Sequence, residues 1–317
     1  MRNFQSKVLL YFLGNEDIYP IPYFSDYMIV VGPYLNQRSY NYVKLKINVS
    51  PGLVSLAPIL EVAKDTFSPD VLLSWNDATG HFLKETHVFN GFKGFILGDG
   101  HHMYRPIEKY VNYAKKEKFD LLIVGHRQFG KIYSTSCNIP TIWLPGIITF
   151  VDNLDPIVKT EKKIISAGQA GGYHVRRYQT ILALQQLGLP IEEIQVRKEY
   201  LATLYNGSAI SLNISLNGDM NFRWFETLAA GGVLICDRLC KDSGVDEFFS
   251  MEEVPTFSTI DEAYSLMKNI LNNSEIRYEI ASKAQTRFKK ELSRSRILEN
   301  LWDIIESRKP EPVFTFW

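Results

Sequence analysis

The sequence predicts an α/β protein made of two units of similar size, each a parallel β-sheet covered on both faces by helices. Short apolar runs alternate with amphipathic stretches along the whole chain, which is typical of buried parallel strands joined by helices. At 317 residues the chain has the length of about two domains. A polar stretch containing Pro156, near Val151–Thr160, interrupts the pattern close to the midpoint. We therefore expect one domain over residues 1–154, a second over 155–292 and a terminal segment over 293–317.

The first half contains short runs of branched and aromatic residues that we interpret as strands. They are Val8–Leu13, Tyr27–Val31, Val43–Ile47, Val71–Trp75, Gly94–Leu97, Leu121–Val124 and Thr141–Leu144. Helices are predicted over Ser55–Thr66 and Pro106–Lys118, because both segments set apolar residues among charged ones at a helical spacing.

The second half repeats this alternation. Its predicted strands are Lys163–Ala167, Glu193–Val196, Ala209–Ile214 and Val233–Asp237. Its predicted helices are Val175–Leu187, Tyr200–Tyr205, Asn221–Ala230, Glu262–Leu271, Ile276–Leu292 and Ser293–Ser307. Gly231 and Gly232 suit the end of the third of these helices, since glycine tolerates the backbone conformation that follows a helix.

Composition narrows the possible partners and the compartment. Lys plus Arg and Asp plus Glu each number 35, and residues 1–155 alone carry 15 basic and 14 acidic side chains. A nucleic-acid partner is therefore disfavoured, because phosphate neutralisation normally needs a basic excess. Three cysteines in a chain of this length indicate reduced thiols and a cytoplasmic location. No apolar run reaches the ~18 residues of a transmembrane segment, and composition does not determine the oligomeric state.

A glycine-rich turn follows the predicted strand Lys163–Ala167. Its sequence, SAGQAGGYHVRRYQT over Ser166–Thr180, lets the backbone approach a ligand at the start of a helix, where N–H groups favour an anion. Arginines in the first turns of a helix oppose its dipole and so call for a compensating anion such as a diphosphate. A tight turn with solvated arginines is the alternative. The candidate ligand-binding residues here are Gly168, Gly171, Gly172, Tyr173, Arg176 and Arg177.

A second candidate segment runs from Ser215 to Asp237 and opens a helix after a polar loop. Arg223 and Glu226 are three residues apart and share one side of that helix. A surface ion pair would explain them and would be nearly neutral in energy. Alternatively, Arg223 contacts phosphates and Glu226 accepts hydrogen bonds from a vicinal diol, which suits a carboxylate.

A third candidate site contains Asp99, His101 and His102, directly after the strand Gly94–Leu97. A titratable pair at the carboxyl end of a strand can donate to a phosphate or act as a base toward a hydroxyl. We interpret Asp99 and His101 as catalytic; a solvated loop is the alternative. His126 and Asp77 follow other strands of the same half and are candidates for the acceptor side. No metal site is expected, because adjacent histidines rarely converge on one ion.

The block NFRWFETLAAGGVLICD, Asn221 to Asp237, resembles the signature of the CgeB-like (spore maturation type) glycosyltransferases. These enzymes have the GT-B fold and a glycosyltransferase family 1-like C-terminal domain. A weaker similarity extends upstream to FILGDGHH, Phe95 to His102, and to the strand, helix and strand over Phe119–Ile147.

The resemblance implies two Rossmann-like domains facing across a cleft, with the C-terminal helix crossing back to the first domain. It implies a nucleotide-sugar donor, UDP- or GDP-linked, on the second domain, and a glycan or other hydroxyl acceptor in the cleft. Arg176, Arg177 and Arg223 would neutralise the departing diphosphate without a bound metal or other cofactor. By the same resemblance Glu226 would bind the ribose.

The chain departs from one pattern that the resemblance brings with it. Many retaining GT-B enzymes carry two glutamates eight residues apart, of which the second matches Glu226. The first would fall at Gly218, and Asp219 beside it could contact the sugar in its place. Asn221 completes the donor-binding set. We expect a retaining transferase because Glu226 keeps the second of the two glutamates, although the first is replaced by Gly218. The alternatives are a non-catalytic nucleotide-sugar or carbohydrate-binding protein, a nucleotide-sugar hydrolase or epimerase, and a nucleic-acid-modifying glycosyltransferase.

Overall fold

The computed structural model describes residues 4–17, 19–76, 80–98, 104–147, 153–158, 161–168, 174–216, 218–307 and 315–316. The chain divides into two compact units. The first comprises Met1–Ile147 together with Ile297–Trp317, and the second comprises Ile148–Arg296. The sheets are parallel and helices connect many of their strands, so the predicted α/β class is confirmed.

Within its described residues, the first unit contains a seven-stranded parallel sheet of order β3-β2-β1-β5-β7-β8-β9. The strands are β1 (Lys7–Phe12), β2 (Tyr27–Gly32), β3 (Val43–Asn48), β5 (Val71–Asn76), β7 (Phe92–Leu97), β8 (Leu121–Val124) and β9 (Thr141–Trp143). The chain order reverses between β1 and β5, which makes their carboxyl ends the usual place for a ligand in such a sheet. The helices are α1 (Leu56–Ala63), α2 (Pro106–Glu117) and α3 (Arg127–Cys137).

The sequence pattern missed one feature of the first unit. Strands β4 (Leu53–Ser55) and β6 (Phe82–Lys84) pair in parallel as a small separate sheet. Each has three residues, which is too short to show a repeating pattern, and Leu53 is largely exposed. Helix α1 consequently begins at Leu56, directly after β4.

The second unit is built on five described parallel strands of order β11-β10-β12-β13-β14. They are β10 (Ile164–Ala167), β11 (Ile191–Ile194), β12 (Ile210–Asn213), β13 (Leu234–Asp237) and β14 (Thr256–Phe257). The helices are α4 (Val175–Gln186), α5 (Lys198–Gly207), α6 (Phe222–Ala229), α7 (Val245–Phe248), α8 (Ile260–Leu271) and α9 (Ser274–Glu291). The chain order reverses at β10, whose neighbours are β11 and β12.

Strand β11 lies two residues earlier than predicted, at Ile191–Ile194 instead of Glu193–Val196. Ile191 is buried and pairs with Ile164, whereas Glu192 and Glu193 are exposed at the edge of the sheet. An edge strand tolerates these charges, and they hid the strand in the sequence. Helix α5 correspondingly begins at Lys198, two residues before the predicted start.

The C-terminal segment contains α10 (Arg294–Ser307), and from Ile297 onward it belongs to the first unit. Trp302 Nε1 donates a hydrogen bond of 2.9 Å to the carbonyl of Phe24, and the Trp302 ring stacks on Phe4. Thr315 forms an antiparallel bridge with Ile142 of β9. In the described ranges, no helix combines the length and apolarity that a membrane span requires.

Candidate functional site

The candidate site of the second unit lies at the carboxyl ends of β10 and β12, where the strand order reverses. Open parallel sheets bind ligands at this position because the loops on either side of it diverge. The loop after β10 begins at Gly168, and the loop after β12 leads to α6. The two segments singled out in the sequence therefore start at adjacent strand ends.

Asn221 fixes the start of α6 next to β12. Its side-chain oxygen accepts a hydrogen bond of 3.1 Å from the backbone N–H of Arg223, which is a standard N-terminal cap. Its amide nitrogen donates at 3.1 Å to the side-chain oxygen of Asn213, the last residue of β12. The cap thus ties the helix to the strand end, and Arg223 leaves α6 from a fixed backbone.

The Arg223 side chain extends from α6 to the end of β10. Its Nε donates a hydrogen bond to the carbonyl of Ala167, and its guanidinium lies against Gly168. Gly168 has φ +107°, and a side chain at this position would overlap the guanidinium. The backbone conformation here favours glycine, and a larger residue would also have to displace the end of the Arg223 side chain.

Arg177, in the first turn of α4, is a buried cation close to Arg223. Its Nε and Nη2 donate to the carbonyl of Ile214 at 3.2 and 2.9 Å, and the residue is 6% exposed. Burial lowers the pKa of the Arg177 guanidinium to about 10, and the charge of Arg223 contributes to the shift. Nearby acidic groups, of which Asp237 and Asp219 have the largest effect, offset part of this shift. Crowded cations of this kind favour an anionic ligand.

Arg176 contacts Asp237 at the end of β13. Arg176 Nη1 lies 2.8 Å from Asp237 Oδ2, and the arginine side chain is 62% exposed whereas the aspartate is buried. Asp237 also accepts hydrogen bonds from the backbone N–H and the hydroxyl of Ser215, at 2.7 and 2.8 Å. Sequence reasoning missed this partner of Arg176, although an aspartate that ends a buried strand was the available signal.

Glu226 is held by side chains from α5. The residue is 3% exposed; its Oε1 accepts from Lys198 Nζ at 2.6 Å and its Oε2 accepts from the Tyr205 hydroxyl at 3.2 Å. Burial raises the pKa of Tyr205 well above its ordinary value, as does the charge of Glu226, so this hydroxyl remains a donor. Glu226 therefore forms its ion pair with Lys198 of α5. Among the described contacts, none joins Glu226 to Arg223.

In the described part of the chain, Lys198 pairs with Glu226 and not with its sequence neighbour Glu199. Glu199 is instead in a weak, exposed pair with Arg197, whose Nη1 is 3.9 Å from Glu199 Oε1. Lys198 lies just beyond the carboxyl end of β11, next to the reversal of strand order, and this location was the signal available in the sequence. Asp219 is also buried near the site, where it acts on the pKa of Arg177.

Of the remaining predicted site residues, only His126 is among the described residues. Gly171, Gly172, Tyr173, Asp77, Asp99, His101 and His102 lie outside the described residues. In the first unit, His126 immediately precedes α3, after β8, with its ring edge-on to Phe129 at a centroid distance of 6.3 Å. Its position at a strand's carboxyl end agrees with the prediction, whereas its role stays a prediction.

Part of the chain also matches a known protein family. Residues 167–303 match the family described as "Glycosyl transferase-like". This part of the chain therefore carries a glycosyltransferase family 1-like domain, and it includes Gly168, Arg177, Arg223 and Glu226. No curated protein matches the chain in sequence.

Solved structures resemble nearly the whole chain in fold. HepE from Anabaena, in complex with UDP and glucose, aligns with a TM-score of 0.62 at 13% identity and covers 96% of this chain and 100% of its own. Sucrose-phosphate synthase from Thermosynechococcus elongatus aligns with a TM-score of 0.65 at 10% identity, over 96% and 99% of the two chains. WaaG, a glycosyltransferase involved in lipopolysaccharide biosynthesis, aligns with a TM-score of 0.55 at 12% identity, over 94% and 99%.

These likenesses show that the chain has the GT-B fold. Together with the match of residues 167–303, they support a glycosyltransferase.

Proposed function

We propose that the protein transfers a sugar from a nucleotide-diphosphate sugar to a hydroxyl group of an acceptor. The observation that carries this proposal is the convergence of Arg177 and Arg223 at the reversal of strand order, inside the matched domain. Both cations are held by backbone carbonyls, and α6, which carries Arg223, is capped by Asn221. Both guanidinium groups are therefore held in place before an anionic ligand binds.

The reaction would break the bond between the anomeric carbon and the diphosphate oxygen and form a bond from that carbon to the acceptor oxygen. The acceptor hydroxyl would lose its proton to a base, for which His101 is the candidate. Negative charge develops on the departing diphosphate, and preoriented cations stabilise it most strongly in the transition state. Arg177 and Arg223 suit this role without the aid of a metal ion. Gly168 would let the phosphates approach the backbone, and Arg176 would join after release from Asp237.

The finer assignments are part of the same proposal. Glu226 would bind the ribose, and Asp219 would contact the sugar. His101 with Asp99 would act near the reacting centre, and His126 with Asp77 would bind the acceptor. The donor would carry uridine or guanosine; HepE, which was solved with UDP and with UDP-glucose, favours uridine.

We further propose a CgeB-like enzyme that retains anomeric configuration and acts in the cytoplasm. The match of Glu226 to the second glutamate of the retaining pattern supports retention. The free thiols Cys137, Cys236 and Cys240 support a reducing compartment.

The test is a transfer assay with labelled UDP-glucose, UDP-N-acetylglucosamine and GDP-mannose, with and without glycan acceptors and EDTA. We expect nucleotide release that depends on the acceptor and persists in EDTA. Release that needs no acceptor would indicate a hydrolase, and donor binding without release would indicate a binding protein. Release that EDTA abolishes would contradict the metal-independent mechanism, and an inverted product would contradict retention.

A further inference from the structure

The carboxylate of Glu226 is clamped from one helix. Lys198 Nζ donates to Oε1 at 2.6 Å, and the Tyr205 hydroxyl donates to Oε2 at 3.2 Å. Lys198 and Tyr205 are seven residues apart in α5, so they lie on the same face of that helix, about two turns apart. The carboxylate plane is thereby fixed at both of its oxygens.

Tyr205, one of the two residues that hold Glu226, is packed in a hydrophobic cluster. The Tyr205 ring is buried in a cluster with Ile165, Ala167, Leu201 and Ala230, beneath the carboxyl end of β10. The Lys198 side chain remains 24% exposed, whereas that of Glu226 is 4% exposed. The lysine therefore links a buried carboxylate to the solvent-exposed surface.

The chemistry of a carboxylate leaves room for a second pair of donors. An ionised carboxylate can accept about four hydrogen bonds, of which Lys198 and Tyr205 use one on each oxygen. A further lone pair on each oxygen matches the two neighbouring hydroxyls of a ribose. The ammonium of Lys198 also offsets the negative charge of Glu226, which would otherwise repel a diphosphate bound nearby.

We propose that Lys198 and Tyr205 are positioning residues, which orient Glu226 toward the 2′ and 3′ hydroxyls and so set the preference for ribonucleotides over deoxyribonucleotides. This inference rests on the proposed donor site. It goes further because it names two residues of α5 as the cause of the preference for ribose over deoxyribose. These two residues need not touch the nucleotide themselves.

The test is a ratio of affinities, measured by calorimetry with UDP and 2′-deoxy-UDP, and in parallel with GDP and 2′-deoxy-GDP. Loss of a hydrogen bond to a charged group weakens binding by about tenfold or more, so the wild-type protein should prefer the ribonucleotide by about that factor. We expect the ratio to fall toward unity in Lys198→Met and in Tyr205→Phe. Lys198→Arg keeps the positive charge and should restore part of the preference.

Matched controls separate positioning from general damage. Lys163→Met removes a lysine whose Nζ is likewise 2.6 Å from a glutamate, Glu192, and should leave the ratio unchanged. Tyr278→Phe removes the hydroxyl of a tyrosine exposed on α9 and should do the same. If Lys198→Met does not fold, Tyr205→Phe carries the test, because it removes one oxygen and keeps the packed ring.

The outcomes distinguish the inference from the function on which it rests. A wild-type protein that binds neither UDP nor GDP would overturn the proposed function and this inference together. A preference that survives in both Lys198→Met and Tyr205→Phe would overturn the inference alone. The inference would fail in the same way if both variants lost affinity for the two nucleotides equally, or if the wild-type protein did not distinguish them.

Discussion

The guanidinium of Arg223 lies in the space that any side chain at Gly168 would occupy, at the point where β10 ends. An arginine from α6 and a glycine from the loop after β10 are thus mutually dependent, although 54 residues lie between them in the sequence. This dependence can be tested from either residue.

Gly168→Ala should displace Arg223 and weaken donor binding. The added methyl group overlaps the guanidinium, and the backbone at φ +107° is strained for alanine. Gly188→Ala is the matched control, since Gly188 also has positive φ, +89°, while its methyl group would meet no described atom within 4 Å. We expect both variants to lose about 1 kcal/mol of stability from backbone strain. Only Gly168→Ala should also lose UDP affinity in calorimetry; equal affinity in the two variants would contradict the proposed contact.

Arg223→Ala should lower turnover by about a hundredfold or more, because a preoriented cation at developing charge is lost. Glu226→Ala should also lose most turnover, through the ribose contact. The control is Arg287→Ala, which removes a partly exposed arginine of α9 that pairs with Glu253. Steady-state rates with the best donor measure all three. Near-normal rates in both Arg223→Ala and Glu226→Ala would refute the site.

The lowered pKa of Arg177 predicts a pH dependence of stability. Its pKa is about 10 in the folded protein, which is well below its ordinary value in the unfolded chain. Between these values the unfolded chain holds a proton that the native state has released, so the contribution of Arg177 to the free energy of unfolding rises with pH. Below pH 10 the cost of burying the cation is fully present. Urea unfolding of the wild type and Arg177→Met from pH 8.5 to roughly 11 should show the difference moving in favour of the wild type. A constant difference would argue against the shifted pKa.

The cysteines should differ sharply in reactivity. Cys240 is exposed, whereas Cys137 and Cys236 are buried. Burial raises the pKa of both buried thiols, that of Cys236 well above its ordinary value, which lowers their thiolate content. A thiol reagent at neutral pH should modify Cys240 rapidly and the other two only after denaturation. Peptide mapping identifies the labelled residue; fast labelling of Cys236 in the native protein would contradict its burial.

The fold was predictable because long elements display their periodicity. The buried strands β1, β2 and β5 read as mainly apolar runs, and α8 showed its buried face in the spacing of Ala263 and Met267. The strands β4, β6 and β14 span two or three residues and show no period. They form because neighbouring strands supply hydrogen bonds, and no local pattern reveals such a neighbour.

The motifs of the candidate site could be predicted from the sequence, but the side-chain partners of its residues could not. Glycines and arginines beside a strand end indicate an anion site wherever they occur. The partner of Glu226 lies 28 residues away and that of Arg176 lies 61 residues away, so each depends on how helices and strands pack. Spacing along one helix allowed Arg223 as a partner of Glu226, but α5 packs against α6 and places Lys198 Nζ 2.6 Å from Glu226 Oε1.

The hydrogen bond from Trp302 to Phe24 joins residues 278 positions apart, and this has a consequence for the order of folding during synthesis. Unit two is continuous, from Ile148 to Arg296, and its whole sequence leaves the ribosome before Ile297. Unit one is discontinuous and must wait for Trp302 before Phe4 and Phe24 are covered. Unit one is thus the first to be translated but the last to finish folding. Until Trp302 has been synthesised, the incomplete unit exposes apolar surface of the kind that chaperones recognise.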